Sequence, residues 1–233
     1  MKLSIVVPCY NEEKNIPLVL EKFQSVIKRD DVEVILVNNG SKDNSQLVLN
    51  ELIPKYSFAR TVLVEVNQGY GFGILSGLKE AKGDYIGWTH ADMQTDPYDP
   101  IKALDLIESA GNPKNLFVKG NRKGRPIFDN FFTIGMSFFE SVYMGVALWD
   151  INAQPNIFHK SLFASWKNPP LDFSLDLFAL YSAKKNGFQV LRFPVIFPER
   201  LHGTSSWNTG LSSKWKFIKR TLDFSFKLKK ELR

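Results

Sequence analysis

The chain has 233 residues, 44% of them hydrophobic and 23% charged, with a formal net charge of +6. That is enough for one α/β domain with a substantial core, and the balance is that of a globular chain, not a disordered or fibrous one. One cysteine, Cys9, excludes an internal disulfide and fits a reducing cytosolic setting, and with only three histidines beside it a thiolate or imidazole zinc centre is disfavoured.

In chain order, Leu3 to Pro8 is a β-branched run, too short and too abruptly ended for a signal peptide, and reads as a buried strand. Glu12 to Ile27 carries helical spacing through Ile16, Val19, Leu20, Phe23 and Ile27. Val32 to Val37 predicts a second strand, closed by Asn38-Asn39-Gly40-Ser41. Asp43-Asn44-Ser45 can cap a helix that Pro54 stops near Ile53. Thr61 to Val66 predicts a third strand, Gly73 to Ala81 a helix ended by Gly83, and Asp84 to Thr89 a fourth strand running into His90-Ala91-Asp92. Further on, Phe128 to Trp149 reads as an aromatic-rich helix, Leu175 to Asn186 as a helix and Gln189 to Phe197 as a strand. No stretch approaches the roughly 20 apolar residues needed to span a bilayer.

The strand–helix alternation predicts an α/β fold with a mostly parallel central sheet flanked by helices, joined by right-handed crossovers. Ligands of such sheets bind outside the carboxyl ends of the strands. The polar clusters at 9–13, 38–44 and 89–96 all fall there, so they should meet at one site.

Asp92, just past the fourth strand, offers a carboxylate to a hard divalent cation, and the Gln94 amide oxygen would share its side of an extended segment. Alternatively, Asp92, Asp96 and Asp99 are loop and cap residues beside Pro97 and Pro100. Gly69-Tyr70-Gly71-Phe72-Gly73 lacks dinucleotide-fingerprint spacing, which argues against an oxidoreductase, and its glycines would allow close packing at a helix start.

Several segments together carry a resemblance. Val6-Val7-Pro8-Cys9-Tyr10-Asn11-Glu12-Glu13-Lys14-Asn15-Ile16, Val37-Asn38-Asn39-Gly40-Ser41-Lys42-Asp43, Gly69-Tyr70-Gly71 and Ala81-Lys82-Gly83-Asp84-Tyr85-Ile86, leading into His90-Ala91-Asp92-Met93-Gln94, resemble the successive motifs of family-2 glycosyltransferases. Gly120-Asn121-Arg122 and the segment from Phe193 to Ser205 resemble later signatures of the dolichol-phosphate-mannose-synthase-like branch.

The resemblance implies a GT-A-type fold over residues 1–210, a Mg²⁺ or Mn²⁺ ion and inverting transfer from a nucleoside-diphosphate sugar, GDP- or UDP-hexose. It implies that Pro8, Tyr10, Glu12, Asn38, Asn39, Gly71, Ala91 and Asp92 hold the nucleotide and that Asp92, Gln94 and His90 face the metal. Arg122, Arg200 and Ser205 would bind phosphate or acceptor, with Asp92, Asp176 and Arg200 as the catalytic set. Two departures stand out. His90 replaces the usual first aspartate, which removes a negative charge from the metal site, and Asn38-Asn39 replace a pair of aspartates, adding donors where the pattern has acceptors alone. Asp176 is either a general base for a hydroxyl acceptor or a residue on the solvated face of its helix, with Asp172 a candidate cap. A polyprenyl phosphate acceptor would need no base, since it is already anionic.

The basic charge sits in the tail: residues 214–233 hold eight basic against two acidic side chains, which leaves the first 213 residues neutral. At helical spacing, residues 211–233 form an amphipathic helix, either packed on the domain or resting on an anionic membrane face. Nothing else supports nucleic-acid binding. The expected activity is hexose transfer to a polyprenyl (dolichyl or undecaprenyl) phosphate by a cytoplasmic, peripherally attached enzyme. The alternatives are transfer to a glycan hydroxyl and a non-catalytic nucleotide-sugar binder.

Overall fold

The protein was analysed as a computed structural model, which describes residues 1–124, 127–197, 215, 219 and 222–229, with the backbone alone for 127–133 and 136. Arg200, Ser205 and most of the proposed tail helix lie outside the described residues.

Seven strands form one sheet in the order β3-β2-β1-β4-β6-β5-β7. β1 (Leu3–Cys9), β2 (Val32–Asn39), β3 (Ala59–Val64) and β4 (Tyr85–Trp88) run parallel, alternating with α1 (Asn15–Val26), α2 (Ser45–Leu52) and α3 (Tyr70–Glu80). α4 (Tyr98–Ser109), β5 (Leu116–Lys123), α5 (Ile127–Met144), β6 (Asn156–His159), a short α6 (Lys160–Ala164), α7 (Leu175–Lys185) and β7 (Gln189–Ile196) follow. Only β6 is antiparallel to its neighbours, β4 and β5.

The parallel half forms for the reason its sequence suggests. Every residue of β2 is buried, because helices cover both faces of a parallel sheet, and its middle is accordingly a continuous apolar run from Val34 to Val37. Its one buried acid, Glu33, receives Ser4 Oγ at 2.5 Å, the Lys82 N–H at 2.9 Å and Arg60 Nε at 2.8 Å, so no charge is left unmatched. α1 buries Ile16, Val19, Leu20 and Phe23 on one stripe, a contribution of about 6–12 kcal/mol against exposure.

Several elements depart from expectation. β2 extends through Asn38 and Asn39, both buried, so these amides belong to the strand and not to the loop that follows it. α3 begins at Tyr70, three residues before the expected Gly73. α4, β5, β6 and α6 have no counterpart in the sequence reading, and α5 stops at Met144, short of the expected Trp149. β6 pairs closely with β4 at Gly87, where a Cβ would fall 1.9 Å from the Asn156 carbonyl oxygen, so only glycine admits this approach.

Candidate active site

The first two polar loops are tied to one another by side chain to backbone bonds. Asn11, at φ +57°, donates its N–H to Ser41 Oγ and accepts the Lys42 N–H on Oδ1. The Glu12 N–H donates to Ser45 Oγ, the Glu13 N–H to Asp43 Oδ2, and Glu13 Oε2 accepts the Asn44 N–H. Asp43 also accepts both the N–H and the hydroxyl of Ser45. Against the cost of burial, these donors hold its carboxyl below the usual range. The helix start is thus satisfied by Asp43, while Asn44, the residue before α2, makes no side-chain cap.

Pro8, one residue before the end of β1, is half-buried, Tyr10 is exposed, and Glu12 Oε2 accepts from Asn15 Nδ2. Asn38 uses both ends of its amide, donating to Gln46 Oε1 and accepting the Ser41 N–H. Asn39 donates to the Gly69 carbonyl and so links the β2 end to the start of α3. The amide donors that aspartates would lack are therefore used to join loops.

The third loop is anchored beside them by the Thr89 N–H, which donates to the Val6 carbonyl at 3.0 Å. Thr89 and Thr95 hydroxyls meet at 2.9 Å and close the turn that holds His90 to Gln94. That turn is not extended: Met93 has φ +58°, and Asp92 Oδ1 accepts the Gln94 N–H at 3.1 Å. The argument that residues 92 and 94 share a face of an extended segment therefore fails, and an Asx-type turn presents them instead. Ala91 and Asp92 are buried, while His90 and Gln94 are half-buried at the rim.

Gly71 packs rather than opens toward a ligand. A Cβ there would lie 2.6 Å from the Pro170 carbonyl oxygen and 2.7 Å from that of Asp172, and the Phe72 N–H donates to Leu171 O. Tyr70 stacks on Phe173 with ring centres 4.7 Å apart and lies 6.1 Å from the His90 ring. The 69–73 and 170–173 segments form one wall beside the 90–94 turn.

Asp176 lies beneath this wall, 3% exposed, so the reading of a solvated helix face is wrong. Its Oδ1 accepts from Gln154 Nε2 at 2.8 Å, Asn156 Nδ2 at 2.9 Å and Trp88 Nε1 at 3.2 Å. Burial pushes its carboxyl upward, opposed first by Lys119 and then by His90. Burial and the charges of Asp176 and Asp92 push the Tyr70 phenol well above its ordinary value, in keeping with the three groups sharing one neighbourhood. Asp172 accepts the Ser174 N–H on Oδ1 just ahead of α7, an Asx turn leading into the helix.

Arg122 was expected to grip phosphate, yet its fork is taken. Its Nε donates to Asp150 Oδ1 at 2.8 Å, its Nη2 to the same oxygen, and its backbone N–H to Oδ2 at 2.9 Å. A phosphate would have to displace a buried ion pair whose side chains are 9% and 4% exposed. Sequence reasoning missed Lys119, Gln154, Asn156 and Asp150, all buried polar residues of β5, β6 and the loop before β6.

Among the described residues no group of three His, Cys, Asp or Glu side chains could cage a metal. The donor set, one buried carboxylate with an imidazole and an amide at its rim, fits a hard cation that takes most of its oxygens from a diphosphate and water. A cavity of about 820 Å³ lies elsewhere, at the amino ends of the strands near Arg29, Val32 and Arg60.

A sheet of this order, with its polar loops gathered at the ends of β1, β2 and β4, is the architecture of the GT-A-type nucleotide-diphospho-sugar transferases. The chain belongs to glycosyl transferase family 2, whose family model matches residues 4–187. It is 34% identical over 125 residues to undecaprenyl-phosphate 4-deoxy-4-formamido-L-arabinose transferase of Pseudomonas fluorescens (strain Pf0-1), a match covering 52% of this chain and 36% of that protein. With the same enzyme of Proteus mirabilis (strain HI4320) it shares 35% over 111 residues, 46% of this chain and 34% of that one. The matches thus span about a third of these relatives.

Among solved structures, glucosyl-3-phosphoglycerate synthase from Mycobacterium tuberculosis with Mn²⁺ and UDP-glucose superposes with a TM-score of 0.71, covering 96% of this chain and 78% of that chain at 17% identity. A mannosyltransferase from Pyrobaculum calidifontis with GDP-Man and Mn²⁺ gives 0.67, covering 88% and 58% at 18% identity. These likenesses establish the shared fold.

Proposed function

We propose that the chain transfers a hexose, with inversion, from a GDP- or UDP-sugar to a polyprenyl phosphate at the cytoplasmic face of a membrane. The observation that carries this reading is the buried Asp92 carboxylate, held in an Asx turn at the end of β4 where the two other polar loops also arrive. Asp92, with His90 and Gln94 at its rim, would hold a Mg²⁺ or Mn²⁺ ion. Such an ion, when bound, neutralises the charge that builds on a diphosphate leaving group. The chain's own part is to seat the nucleoside over the clamped 9–13 and 38–44 loops and to keep water off the buried Asp176 network. Arg200 and Ser205 remain the proposed acceptor-side residues.

A phosphate acceptor attacks as an anion and needs no base, which agrees with an Asp176 whose Oδ1 already accepts three N–H donors. The upward push on the Asp176 carboxyl favours a second reading, in which it deprotonates a hydroxyl acceptor. Asp176→Asn separates them: transfer survives if the acceptor is a polyprenyl phosphate and is lost if it is a hydroxyl that needs a base.

Peripheral attachment is supported by an apolar ridge on α5, where Ile134, Phe138 and Val142 are 48%, 71% and 68% exposed at one-turn spacing. The 222–229 helix packs on α5 through Ser225 on Glu140 and Phe226 edge-on to Tyr143, with Lys227 exposed. No helix of the described residues is long and apolar enough to cross a membrane.

The test is a thermal-shift panel of UDP, GDP, CDP and their sugars with and without Mn²⁺. A ligand at about 100 times its Kd adds roughly 2.7 kcal/mol of stability, an easily read shift. UDP or GDP should stabilise only with metal, and Asp92→Ala should abolish the metal dependence. Stabilisation by none of the nucleotides would refute the reading.

A further inference from the structure

Lys119 and Asp176 are two buried charges that the transfer chemistry above does not require. Lys119, on β5, is fully buried, and its Nζ donates to the Ala153 carbonyl at 2.6 Å and to Asn156 Oδ1. Asn156, also fully buried, passes the contact on, since its Nδ2 donates to Asp176 Oδ1 at 2.9 Å and to Gln154 Oε1 at 2.8 Å. An amide with an ammonium on its oxygen and a carboxylate on its nitrogen has one orientation only. Polarisation by the ammonium also strengthens the bond its N–H makes to the carboxylate. The same carboxylate oxygen receives the Trp88 indole at 3.2 Å, and Trp88 stands two residues before His90. Gln154 Nε2 reaches Tyr70 OH at 3.3 Å, so the network also touches the aromatic wall.

We propose that Lys119 is a positioning residue: through the Asn156 amide it holds Asp176 as an oriented carboxylate beneath the His90–Gln94 turn and cancels its charge there. The inference rests on the donor-site reading in one respect, namely what sits above that turn. A diphosphate and a phosphate acceptor are both anionic. An uncompensated carboxylate under them would repel both, whereas the Lys119–Asp176 pair is neutral as a whole. Burial lowers the Lys119 ammonium to about 7 and raises the Asp176 carboxyl, and for each the partner is the largest force that opposes the shift, so each favours the charged form of the other. Arg122, Arg192 and Asp150 are the other charges that act on Lys119. Asp150 is itself engaged with Arg122, so neither is a substitute partner for Asp176.

The experiment compares wild type with Lys119→Met, Asp176→Asn and the charge-balanced double variant. Two readouts are used: the Trp88 indole N–H resonance, assigned with Trp88→Phe, and the affinity for UDP and GDP with Mn²⁺ by calorimetry. Lys119→Met should displace the Trp88 resonance and weaken nucleotide binding by about tenfold, the scale of one uncompensated charge at a partly screened distance. The double variant should recover most of that affinity although its network is no longer ionic, a rescue that a merely structural lysine would not produce. If Lys119→Met does not fold, the double variant should fold, because no unpaired charge is buried in it. A Trp88 resonance unchanged in folded Lys119→Met overturns the proposal, as does a double variant no better than the single one in affinity or folding. If wild type binds no nucleoside diphosphate, the donor reading fails alone, and the indole signal and the folding comparison still decide the role of Lys119.

Discussion

Asp150→Asn tests whether Arg122 is a structural cation or a phosphate ligand. In the wild type, the Asp150 carboxylate accepts the Arg122 backbone N–H, Nε and Nη2, and Arg122 Cζ also lies 5.6 Å from the Phe197 ring centre. Arg192 is close by, donating to the Gly120 and Trp149 carbonyls, and burial lowers its guanidinium to about 10. The amide oxygen can keep the Arg122 bonds made to one of the two carboxylate oxygens, but the charge that offsets both arginines is removed. Because the pair is almost wholly shielded from water, solvent screening gives little relief, and breaking such a pair costs about 3–5 kcal/mol. For a chain of this length that is a fall in Tm of about 6–20 °C. Urea unfolding should show the midpoint falling with an unchanged slope.

The pH dependence provides a second arm. Although burial works against it, Arg122 holds the Asp150 carboxyl below its ordinary range. Its contribution is therefore present above the unfolded carboxyl value of about 4 and is lost as pH falls through the lower folded value. Asp150→Asn should remove that acid-side loss. A cost below about 1 kcal/mol would refute the reasoning and return Arg122 to the phosphate-binding set.

Three further outcomes are expected. Asp92→Asn should keep the fold within about 1 kcal/mol, since the amide oxygen can still accept the Gln94 N–H, yet lose metal-dependent nucleotide binding in calorimetry. Gly71→Ala must push the 170–172 backbone aside and should cost about 1–3 kcal/mol in denaturant unfolding, with the near-ultraviolet signal of the Tyr70–Phe173 stack diminished. Glu140 is pushed up to about 7 by burial, against the help of the Ser225 hydroxyl. Its folded value being raised, the protonated carboxyl's contribution is complete below about 4.5 and is lost as pH rises through about 7. Glu140→Gln should flatten that part of a Tm-against-pH profile.

The parallel half of the sheet was legible because burial imposes a local signature on it. Strands covered on both faces must be mostly apolar, as Leu3 to Cys9 and Val32 to Val37 are apart from Ser4 and Glu33, and the helices between them must carry one apolar stripe. The placement of Asp92 and of the 9–13 and 38–44 loops followed from that order, since parallel strands bring their carboxyl ends together. α4 was readable but passed over: Ile101, Ala103, Leu104 and Ile107 have helical spacing, and Pro97 and Pro100 suit a first turn.

β5 and β6 were not readable, because what stabilises their polar residues is remote in the chain. Lys119-Gly120-Asn121-Arg122-Lys123 has the look of a solvated loop until Asn156 and Asp150 are brought to Lys119 and Arg122 from 28 or more residues away. Asp176 likewise could be read as a base or as a helix-surface acid, and only the closure of Trp88, Gln154 and Asn156 over it removes the second reading. By itself the sequence determined where Asp92 stands, since that position depends on local periodicity and strand order. Tertiary structure alone decided which charges are spent on the fold and which remain for a ligand, since a buried ion is tolerated only where distant partners converge on it.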